Sequence, residues 1–399
     1  MSGTSTAASR APLRSVLLAG GGTAGHVNPL LAVAEELQRR DGSTRLTVLG
    51  TSTGLEAELV PARGLPLALV PRVPLPRRPT LDWFRLPGRL RSAVRAAGVA
   101  IDDAGAQVVV GFGGYVSTPA YLAARRRRIP VVVHEANARP GLANRLGARW
   151  AAEVAVTFPG TRLPHAQVVG MPLRAAVAGL VDRLAADPAG TRDGALAMLG
   201  LTPGRPVVLV TGGSLGAAHL NATIAVVAGE LIAAGTQVLH LTGAGKAEAV
   251  RDVVGQLADA DRGHYHVREY LAEMEQAYAV AALVVCRSGA ATVSELAALG
   301  LPAGYVPLPI GNGEQRLNAA PVVAAGGGLL VDDADLTPAW LRAHVLPLLT
   351  GITTTSSEPA APTDRSALAV MGRAAASVGV RNGAARVADL VERAARRTS

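Results

Sequence analysis

The chain has one cysteine, Cys286, among 399 residues, and only 3% of its residues are aromatic. A single cysteine excludes an internal disulfide and a metal site built from several thiolates, so we expect a reducing compartment. The scarcity of aromatic side chains argues against a protein that stacks nucleic-acid bases. We therefore expect no nucleic-acid partner.

Long apolar runs are also missing. Apolar residues make up 49% of the chain, yet no run reaches the roughly 18 residues that a membrane-spanning helix needs. The apolar stretch 16–19 is too short for a signal peptide and leads directly into glycines. We predict no transmembrane span, and a disordered tail over residues 1–13.

Basic residues exceed acidic ones, at 39 against 30, and the formal net charge is +9. This excess favours an anionic partner, either a phosphorylated substrate or an anionic membrane surface. The chain is also too long for one ordinary hydrophobic core, so we expect two domains.

Short apolar runs alternate with helical patterns along the whole chain, which is typical of α/β domains with parallel sheets covered by helices. The predicted strands of the first half are 15–19, 45–49, 67–70, 107–110, 130–134, 153–156 and 167–169. Those of the second half are 206–210, 237–241, 265–268, 283–286, 304–307 and 329–331. A polar loop at 353–363 is predicted to be disordered.

Two glycine-rich turns, 20–25 and 212–216, each follow a predicted strand and precede a helix. Their backbone N–H groups suit a phosphate or another anion at the helix start, so two nucleotide-type domains are expected. The first turn also fits G-x-G-x-x-G. The residues after the next strand, 50–53, hold no carboxylate for a ribose, and this argues against NAD.

His26 follows the first glycine turn, where its imidazole can act as a general base. A structural hydrogen-bonding role is the alternative. Two more loops, 111–117 and 134–137, follow strands of the same predicted sheet and should meet at the same edge. In these loops Glu135 and Asn137 can bind hydroxyls, and the amides of Gly113 and Gly114 can approach an anion.

The segment 286–296 follows a predicted strand of the second half and starts a helix. Ser288 and Gly289 would leave the helix amides open to a diphosphate, and Glu295 would offer a carboxylate to a ribose diol. The alternative for Thr292 to Glu295 is a capping box.

Six motifs occur in one order, at residues 21–26, 114–117, 134–137, 212–217, 287–295 and 315–318. With them the chain, from about residue 14 onward, resembles the MurG family, the peptidoglycan N-acetylglucosaminyltransferases that make lipid II. The resemblance implies a GT-B fold of α/β class, with two Rossmann-like doubly wound parallel-sheet domains facing a deep cleft. It implies an acceptor and membrane-docking domain at 14–173, a UDP-N-acetylglucosamine (UDP-GlcNAc) domain at 174–370, and a C-terminal helix at 371–399 that returns to the first domain.

The resemblance also implies an inverting transfer of GlcNAc from UDP-GlcNAc to the 4-hydroxyl of MurNAc in lipid I, the undecaprenyl-diphosphate-linked muramyl pentapeptide. The enzyme would work peripherally at the cytoplasmic face of the cell membrane. It implies no tightly bound cofactor and no metal held by the protein, and it leaves open a divalent cation at the acceptor diphosphate. Three alternatives stay open: a GT-B transferase for another sugar nucleotide and acceptor, a UDP-GlcNAc 2-epimerase, and a nucleotide-sugar binding protein without catalysis.

The resemblance assigns residues to four groups. The catalytic group is His26, Glu135 and Asn137. The donor-binding group is Thr23, Ala24, Gly25, Asn137, Arg174, Ser214, Leu271, Ala290, Ala291, Thr292, Val293, Ser294, Glu295, Gln315 and Asn318. The acceptor-binding group is Gly22, Gly113, Gly114, Tyr115, Ser117 and His134. The membrane group, Arg77, Arg78, Trp83, Phe84, Arg85 and Arg89, is predicted first from an apolar and arginine-rich stretch. The alternative for this stretch is a loop and amphipathic helix packed on the domain, and the resemblance favours membrane docking.

Overall fold

The computed structural model describes residues 13–73, 82–213, 216–350 and 366–397, and gives the backbone alone for 82–85. It divides into two compact units, Met1–Arg174 with Asn382–Ser399, and Ala175–Arg381. Residues 371–381, which we expected in the returning helix, therefore belong to the second unit. The tail predicted at 1–13, apart from Leu13, and the loop predicted at 353–363 lie outside the described residues.

The first unit is built on seven parallel strands in the order β3-β2-β1-β4-β5-β6-β7. Their bounds are Ser15–Gly20 (β1), Arg45–Gly50 (β2), Leu67–Leu69 (β3), Val108–Gly113 (β4), Val131–Glu135 (β5), Glu153–Val156 (β6) and Ala166–Val168 (β7). Every residue of the central strands β1, β4 and β5 is buried. Burial on both faces explains why these strands read as continuous apolar runs.

Helices cover both faces of this sheet. Their bounds are Ala24–Arg40 (α1), Glu56–Leu59 (α2), Asp82–Ala104 (α3), Ser117–Arg127 (α4) and Leu142–Gly147 (α5). In α1, Leu30, Val33, Ala34 and Leu37 recur at helical spacing and pack into the core with Val16. The burial of this stripe fixes α1 on the sheet and holds its first turn at the carboxyl end of β1.

The second unit repeats the plan with six parallel strands in the order β10-β9-β8-β11-β12-β13. They are Val207–Thr211 (β8), Gln237–Leu241 (β9), Tyr265–Arg268 (β10), Ala281–Cys286 (β11), Ala303–Tyr305 (β12) and Gly328–Leu330 (β13). This order matches the first six strands of the other unit and is the doubly wound Rossmann order. The doubly wound parallel sheets expected in both halves are thus confirmed.

The helices of the second unit lie on both faces of its sheet. They are Ala175–Ala186 (α6), Pro188–Leu199 (α7), Ala218–Val226 (α8), Ala228–Ala233 (α9), Glu248–Val254 (α10), Asp259–Arg262 (α11), Met274–Val280 (α12), Ala290–Leu299 (α13), Glu314–Ala324 (α14), Pro338–His344 (α15), Leu346–Leu349 (α16) and Ala367–Val378 (α17). Across the described ranges of both units, no helix is long and apolar enough to cross a membrane.

The last helix, Gly383–Arg396 (α18), belongs to the first unit. Its apolar stripe, which includes Val387, Leu390 and Val391, joins the core under β1. Arg40 of α1 donates to Asp389 at 2.7 Å and to Glu392 at 2.9 Å. The apolar stripe and these ion pairs together hold α18 against α1.

Candidate active site

Three loops of the first unit follow the neighbouring strands β1, β4 and β5 at their carboxyl ends. They cover residues 21–23, 114–116 and 136–141, and we call them the first, second and third loops. Carboxyl ends of adjacent parallel strands form the ligand-binding edge of an open α/β sheet. The residues predicted from the first three motifs are therefore brought to one edge.

His26 lies in the first turn of α1, half-buried beside the first loop. Its Nδ1 atom is 3.2 Å from the Gly21 carbonyl oxygen and 3.2 Å from Oγ1 of Thr23. A carbonyl oxygen can only accept, so Nδ1 carries the proton and Nε2 keeps a lone pair. Burial lowers the pKa of His26 below 6.5, against the opposing negative charges of Glu135 and Glu56. The imidazole is therefore neutral at neutral pH, as a general base must be.

The second loop lies directly against this histidine. A Cβ atom on Gly113 would lie 3.0 Å from both Cδ2 and Nε2 of His26. A Cβ atom on Gly114 would clash with the Gly21 carbonyl oxygen, and both glycines have positive φ, +102° and +81°. Gly114 is required because the first and second loops touch backbone to backbone there, and Gly113, at the end of β4, leaves room for the His26 ring.

Glu135, predicted as catalytic, is 3% exposed, and both of its oxygens accept hydrogen bonds from the third loop or from α5. Oε1 accepts from the Asn137 amide at 2.9 Å, and Oε2 accepts from the Gly141 amide and from Nδ2 of Asn144, both at 3.0 Å. Direct contact with a substrate does not fit this arrangement. Glu135 instead fixes the third loop and presents Asn137, which is half-buried.

Asn144 is a residue that the sequence gave no reason to select. Its Oδ1 accepts from the Tyr121 hydroxyl at 2.7 Å, while Nδ2 donates to the His134 carbonyl oxygen at 3.0 Å as well as to Glu135. It thereby joins α5 to α4 and to the end of β5. No local motif marks it, because its partners lie at residue 121 and at residues 134–135, well before it in the chain.

Two residues predicted to bind the acceptor are corrected by their burial. Ser117 and His134 are both 0% exposed. The Ser117 hydroxyl accepts from the Gly113 amide at 2.9 Å and lies 2.8 Å from the Gly113 carbonyl oxygen, and His134 packs at 5.7 Å from the Phe112 ring. Their buried side chains support the second loop and do not reach a ligand.

Tyr115, which was also predicted to bind the acceptor, is 37% exposed. The guanidinium carbon of Arg72 lies over its ring, 5.0 Å from the ring centroid.

A carboxylate does reach the first loop, although residues 50–53 hold none. Glu56, the first residue of α2, accepts from the Gly22 amide at 2.8 Å and from the Thr51 amide and hydroxyl at 3.0 and 2.7 Å. Burial opposes its ionisation, but these hydrogen bonds outweigh it and hold the pKa of Glu56 below its usual value. Glu56 lies three residues beyond the segment 50–53 and binds the backbone of the first loop.

In the second unit, α13 begins after Gly289, which has an extended backbone. Glycine has no side chain, so it cannot cap the first helical amides. Ser288, just before it, is fully buried and its hydroxyl has no hydrogen-bond partner. Thr292 and Glu295 both lie inside the helix, so the capping-box alternative is wrong. The amides of Ala290, Ala291 and neighbouring residues thus form an open helix start, which is a typical anion site.

The other residues of this unit that were predicted to bind the donor lie in the chain between the end of β10 and the first turns of α14. Glu295 is 5% exposed, and its Oε2 accepts from the Tyr278 hydroxyl at 3.0 Å. Nδ2 of Asn318 donates to the Ser288 carbonyl oxygen at 3.4 Å, and Oε1 of Gln315 accepts from the Leu308 amide at 3.0 Å. Val293 is 0% exposed, so its side chain belongs to the core and not to a ligand site. Ser294 and Leu271 are half-buried.

The other predicted site residues fall in different places. Gly22, Thr23 and Gly25 are exposed on the first unit, where Ala24 and Arg174 are half-buried. Ser214, Arg77 and Arg78 lie outside the described residues, as do the side chains of Trp83, Phe84 and Arg85. Arg89, on α3, is exposed.

Comparison with known proteins places both units in one family. Residues 16–156 match the glycosyltransferase family 28 N-terminal domain, and residues 207–372 match its C-terminal domain. Over 379 residues the chain is 55% identical to the UDP-N-acetylglucosamine–N-acetylmuramyl-(pentapeptide) pyrophosphoryl-undecaprenol N-acetylglucosamine transferase of Leifsonia xyli, covering 95% of this chain and 98% of the relative. It is 57% identical to the enzyme of the same name from Frankia casuarinae, over 84% and 88% of the two chains.

Among solved structures, the crystal structure of Acinetobacter baumannii MurG is similar, with a TM-score of 0.72 and 26% identity over 95% of this chain and 99% of that one. The resemblance found in the six motifs is thereby confirmed, and with it the GT-B class of the fold. The chain belongs to the UDP-N-acetylglucosamine–N-acetylmuramyl-(pentapeptide) pyrophosphoryl-undecaprenol N-acetylglucosamine transferases of glycosyltransferase family 28.

Proposed function

We propose that the protein transfers GlcNAc from UDP-GlcNAc to the 4-hydroxyl of MurNAc in lipid I and so makes lipid II for peptidoglycan. The observation that carries this proposal is 55% identity over 95% of the chain to a transferase of that name. The described residues of the six motifs that suggested it lie at the ends of strands or in the segments that follow them.

UDP-GlcNAc is assigned to the second unit. The open amides at the start of α13 receive the diphosphate, and the buried hydroxyl of Ser288 lies beside them without a partner of its own. Glu295, held by Tyr278, accepts from the ribose hydroxyls. Gln315, on α14, is assigned to the sugar. Asn318 was predicted beside it, but it is 0% exposed and supports the segment before α13 through the Ser288 carbonyl oxygen.

The acceptor alcohol is assigned to the first unit, beside His26. The 4-hydroxyl oxygen attacks the anomeric carbon as the bond from that carbon to the diphosphate oxygen breaks, and Nε2 of His26 takes the hydroxyl proton. UDP leaves with the bonding electron pair, and helix amides with Arg174 stabilise its charge. One displacement inverts the anomeric centre and gives a β-linked disaccharide.

The decisive experiment incubates the protein with UDP-GlcNAc and a lipid I analogue. We expect UDP release together with a β-1,4-linked disaccharide product. UDP-ManNAc formed without acceptor would indicate an epimerase. Turnover with UDP-glucose or a TDP-sugar would indicate another transferase, and UDP binding without turnover would indicate a binding protein. Metal analysis of the purified protein tests the expectation that it holds no metal. Repeating the assay in EDTA tests whether a divalent cation at the acceptor diphosphate assists the transfer.

We also propose peripheral binding to an anionic membrane at the cytoplasmic face, through the stretch that holds Arg77, Arg78, Trp83, Phe84, Arg85 and Arg89. Guanidinium groups can bind lipid phosphates, and neighbouring bulky apolar side chains can enter the headgroup region. The test is co-sedimentation with phosphatidylglycerol vesicles. Reversal of Arg77 and Arg78 to glutamate should weaken binding, whereas the same change at Arg126 and Arg162, both exposed on the first unit, should not. Equal loss from both pairs would indicate only a general charge effect.

A further inference from the structure

Glu56 is a buried carboxylate of the first unit to which the transfer mechanism gives no role. It is 0% exposed, although it lies in a segment of loop and short helix after β2. Carboxylates are rarely buried without a specific partner, because desolvation penalises their charge. Its burial therefore needs an explanation from its contacts.

Its two oxygens join the first loop to the end of β2. Oε2 accepts from the Gly22 amide, while Oε1 accepts from both the amide and the hydroxyl of Thr51. Three donors converge on one carboxylate, and each oxygen has a donor of its own. A carboxamide cannot replace it, because its NH2 group would face one of these donors.

The carboxylate also fills the space that three glycines leave open. A Cβ atom on Gly21 would lie 2.5 Å from Oε1, and one on Gly50 would lie 2.5 Å from Cγ of Glu56. A Cβ atom on Gly54 would overlap the carboxylate itself. The glycines around this loop are thus matched to an internal anion, and the Gly22 amide is already engaged before any substrate phosphate arrives.

The first loop in turn holds His26, since the Gly21 carbonyl oxygen lies beside Nδ1 of the imidazole. The charged groups that act on this imidazole are Glu135, at the end of β5, and Glu56. We propose that Glu56 is a positioning residue that fixes the first loop, and through it the orientation of the His26 imidazole, for the transfer reaction. This inference rests on the proposed function in giving His26 its task.

The first test compares Glu56→Gln with Glu153→Gln in the lipid I assay. Glu153 is a matched control, because it is also a buried carboxylate of the first unit but starts β6 and pairs with Arg397 at 2.9 Å. We expect Glu56→Gln to lower kcat at least tenfold while leaving the KM for UDP-GlcNAc within twofold. The Glu153 variant should keep both constants within twofold of the wild-type values. Its melting temperature should be similar to that of Glu56→Gln.

A pH profile separates positioning from general stability. Loss of the Glu56 charge removes one of the two charges that raise the pKa of His26, so the acid limb of kcat/KM should move to lower pH. In Glu153→Gln the limb should stay in place. If Glu56→Gln matches the control in kcat and in this limb, Glu56 has no positioning role.

The second test needs no substrate. Gly54→Ala should lower the free energy of unfolding strongly beside Glu56 and far less in a Glu56→Ala background, where the carboxylate is gone. Additive effects would overturn the packing argument.

A substitute variant is available should Glu56→Gln fail to fold. Thr51→Val removes one donor to the same carboxylate and should lower kcat about threefold. An unchanged kcat would count against the proposal. If the wild-type protein makes no disaccharide, the proposed function fails, while the unfolding cycle still decides where the carboxylate lies.

Discussion

The Tyr278 hydroxyl donates a 3.0 Å hydrogen bond to Oε2 of Glu295, and both side chains are buried in the second unit. Tyr278 lies on α12 and Glu295 on α13. The carboxylate assigned to the ribose is therefore held in one orientation before the nucleotide binds. Preorganisation of this kind lowers the entropy lost on binding.

Tyr278→Phe removes the hydroxyl and leaves the ring in place. We expect the Kd for UDP-GlcNAc to rise about tenfold, since a hydrogen bond to a charged group contributes about 1.5 kcal/mol. Calorimetric titration measures it. Tyr265→Phe is the control, because it loses a 2.8 Å bond to His240 elsewhere in the same unit and should bind normally. The rise in Kd caused by Tyr278→Phe should be smaller for 2′-deoxy-UDP than for UDP-GlcNAc. An equal rise for both nucleotides would contradict the ribose assignment.

His26→Asn removes the proposed base. We expect kcat to fall by about 10²- to 10⁴-fold, the usual contribution of a general base, with UDP-GlcNAc binding unchanged. Steady-state kinetics and titration of the donor measure the two quantities. Nearly full turnover in this variant would show that another group takes the proton.

The pH dependence of transfer should reflect the burial of His26. Its pKa is lowered from 6.5, so the neutral base persists as the pH falls through that value, and the acid half-point of kcat/KM should lie below pH 6.5. A profile from pH 5 to 8 measures it. A half-point above 6.5 would not belong to this imidazole.

Gly114→Ala should disrupt the contact between the first and second loops. The new Cβ atom would meet the Gly21 carbonyl oxygen at a backbone φ of +81°. Gly160 has nearly the same φ, +82°, with open space around it. Gly160→Ala is therefore a control for backbone strain alone, which costs roughly 1–2 kcal/mol. We expect transfer to fall at least a hundredfold in Gly114→Ala and to remain in Gly160→Ala. Equal activities would contradict the contact.

Two buried histidines should make the fold sensitive to acid. Burial lowers the pKa of His134 and of His240 to about 4. Between pH 6.5 and 4 the unfolded chain binds protons that the folded chain does not, so stability is lost as the pH falls. By pH 5 the loss is about 2 kcal/mol for each histidine.

Urea unfolding at pH 7 and pH 5 measures this loss. The quantity compared is the loss in the free energy of unfolding between pH 7 and pH 5. His240→Asn should remove about half of the part that His134 and His240 contribute together, whereas His165→Gln, at an exposed position, should leave the loss unchanged. An unaltered difference in His240→Asn would show that this histidine is not the source.

The fold was predictable almost completely. Each of the thirteen predicted strands is present, and their ends agree within three residues. Buried parallel strands are apolar throughout and glycine marks their ends, so the signal is local. The last helices were less predictable: α17 belongs to the second unit and α18 to the first, a division that depends on which core buries each apolar stripe.

The site was predictable where a motif is continuous. His26 and Glu295 were selected because a strand, a glycine turn and a helix start stand next to each other in the chain. Glu56, Asn144 and Tyr278 were missed because each acts on a residue far away in sequence, as in the 34-residue separation between Gly22 and Glu56. Ser117 and His134 were placed too near the ligand, since periodicity does not distinguish the surface of a loop from its support.

The sequence by itself determined the positions of the strands along the chain, the loops that follow them and the family, because these depend on local patterns and their succession. The tertiary structure decided which polar groups remain for a substrate. Glu135 ends β5 and Glu56 follows β2, yet each is already bound by internal donors. Whether a carboxylate serves a ligand or its own backbone depends on which amides folding brings within about 3 Å, and hydrogen bonds act only at that range.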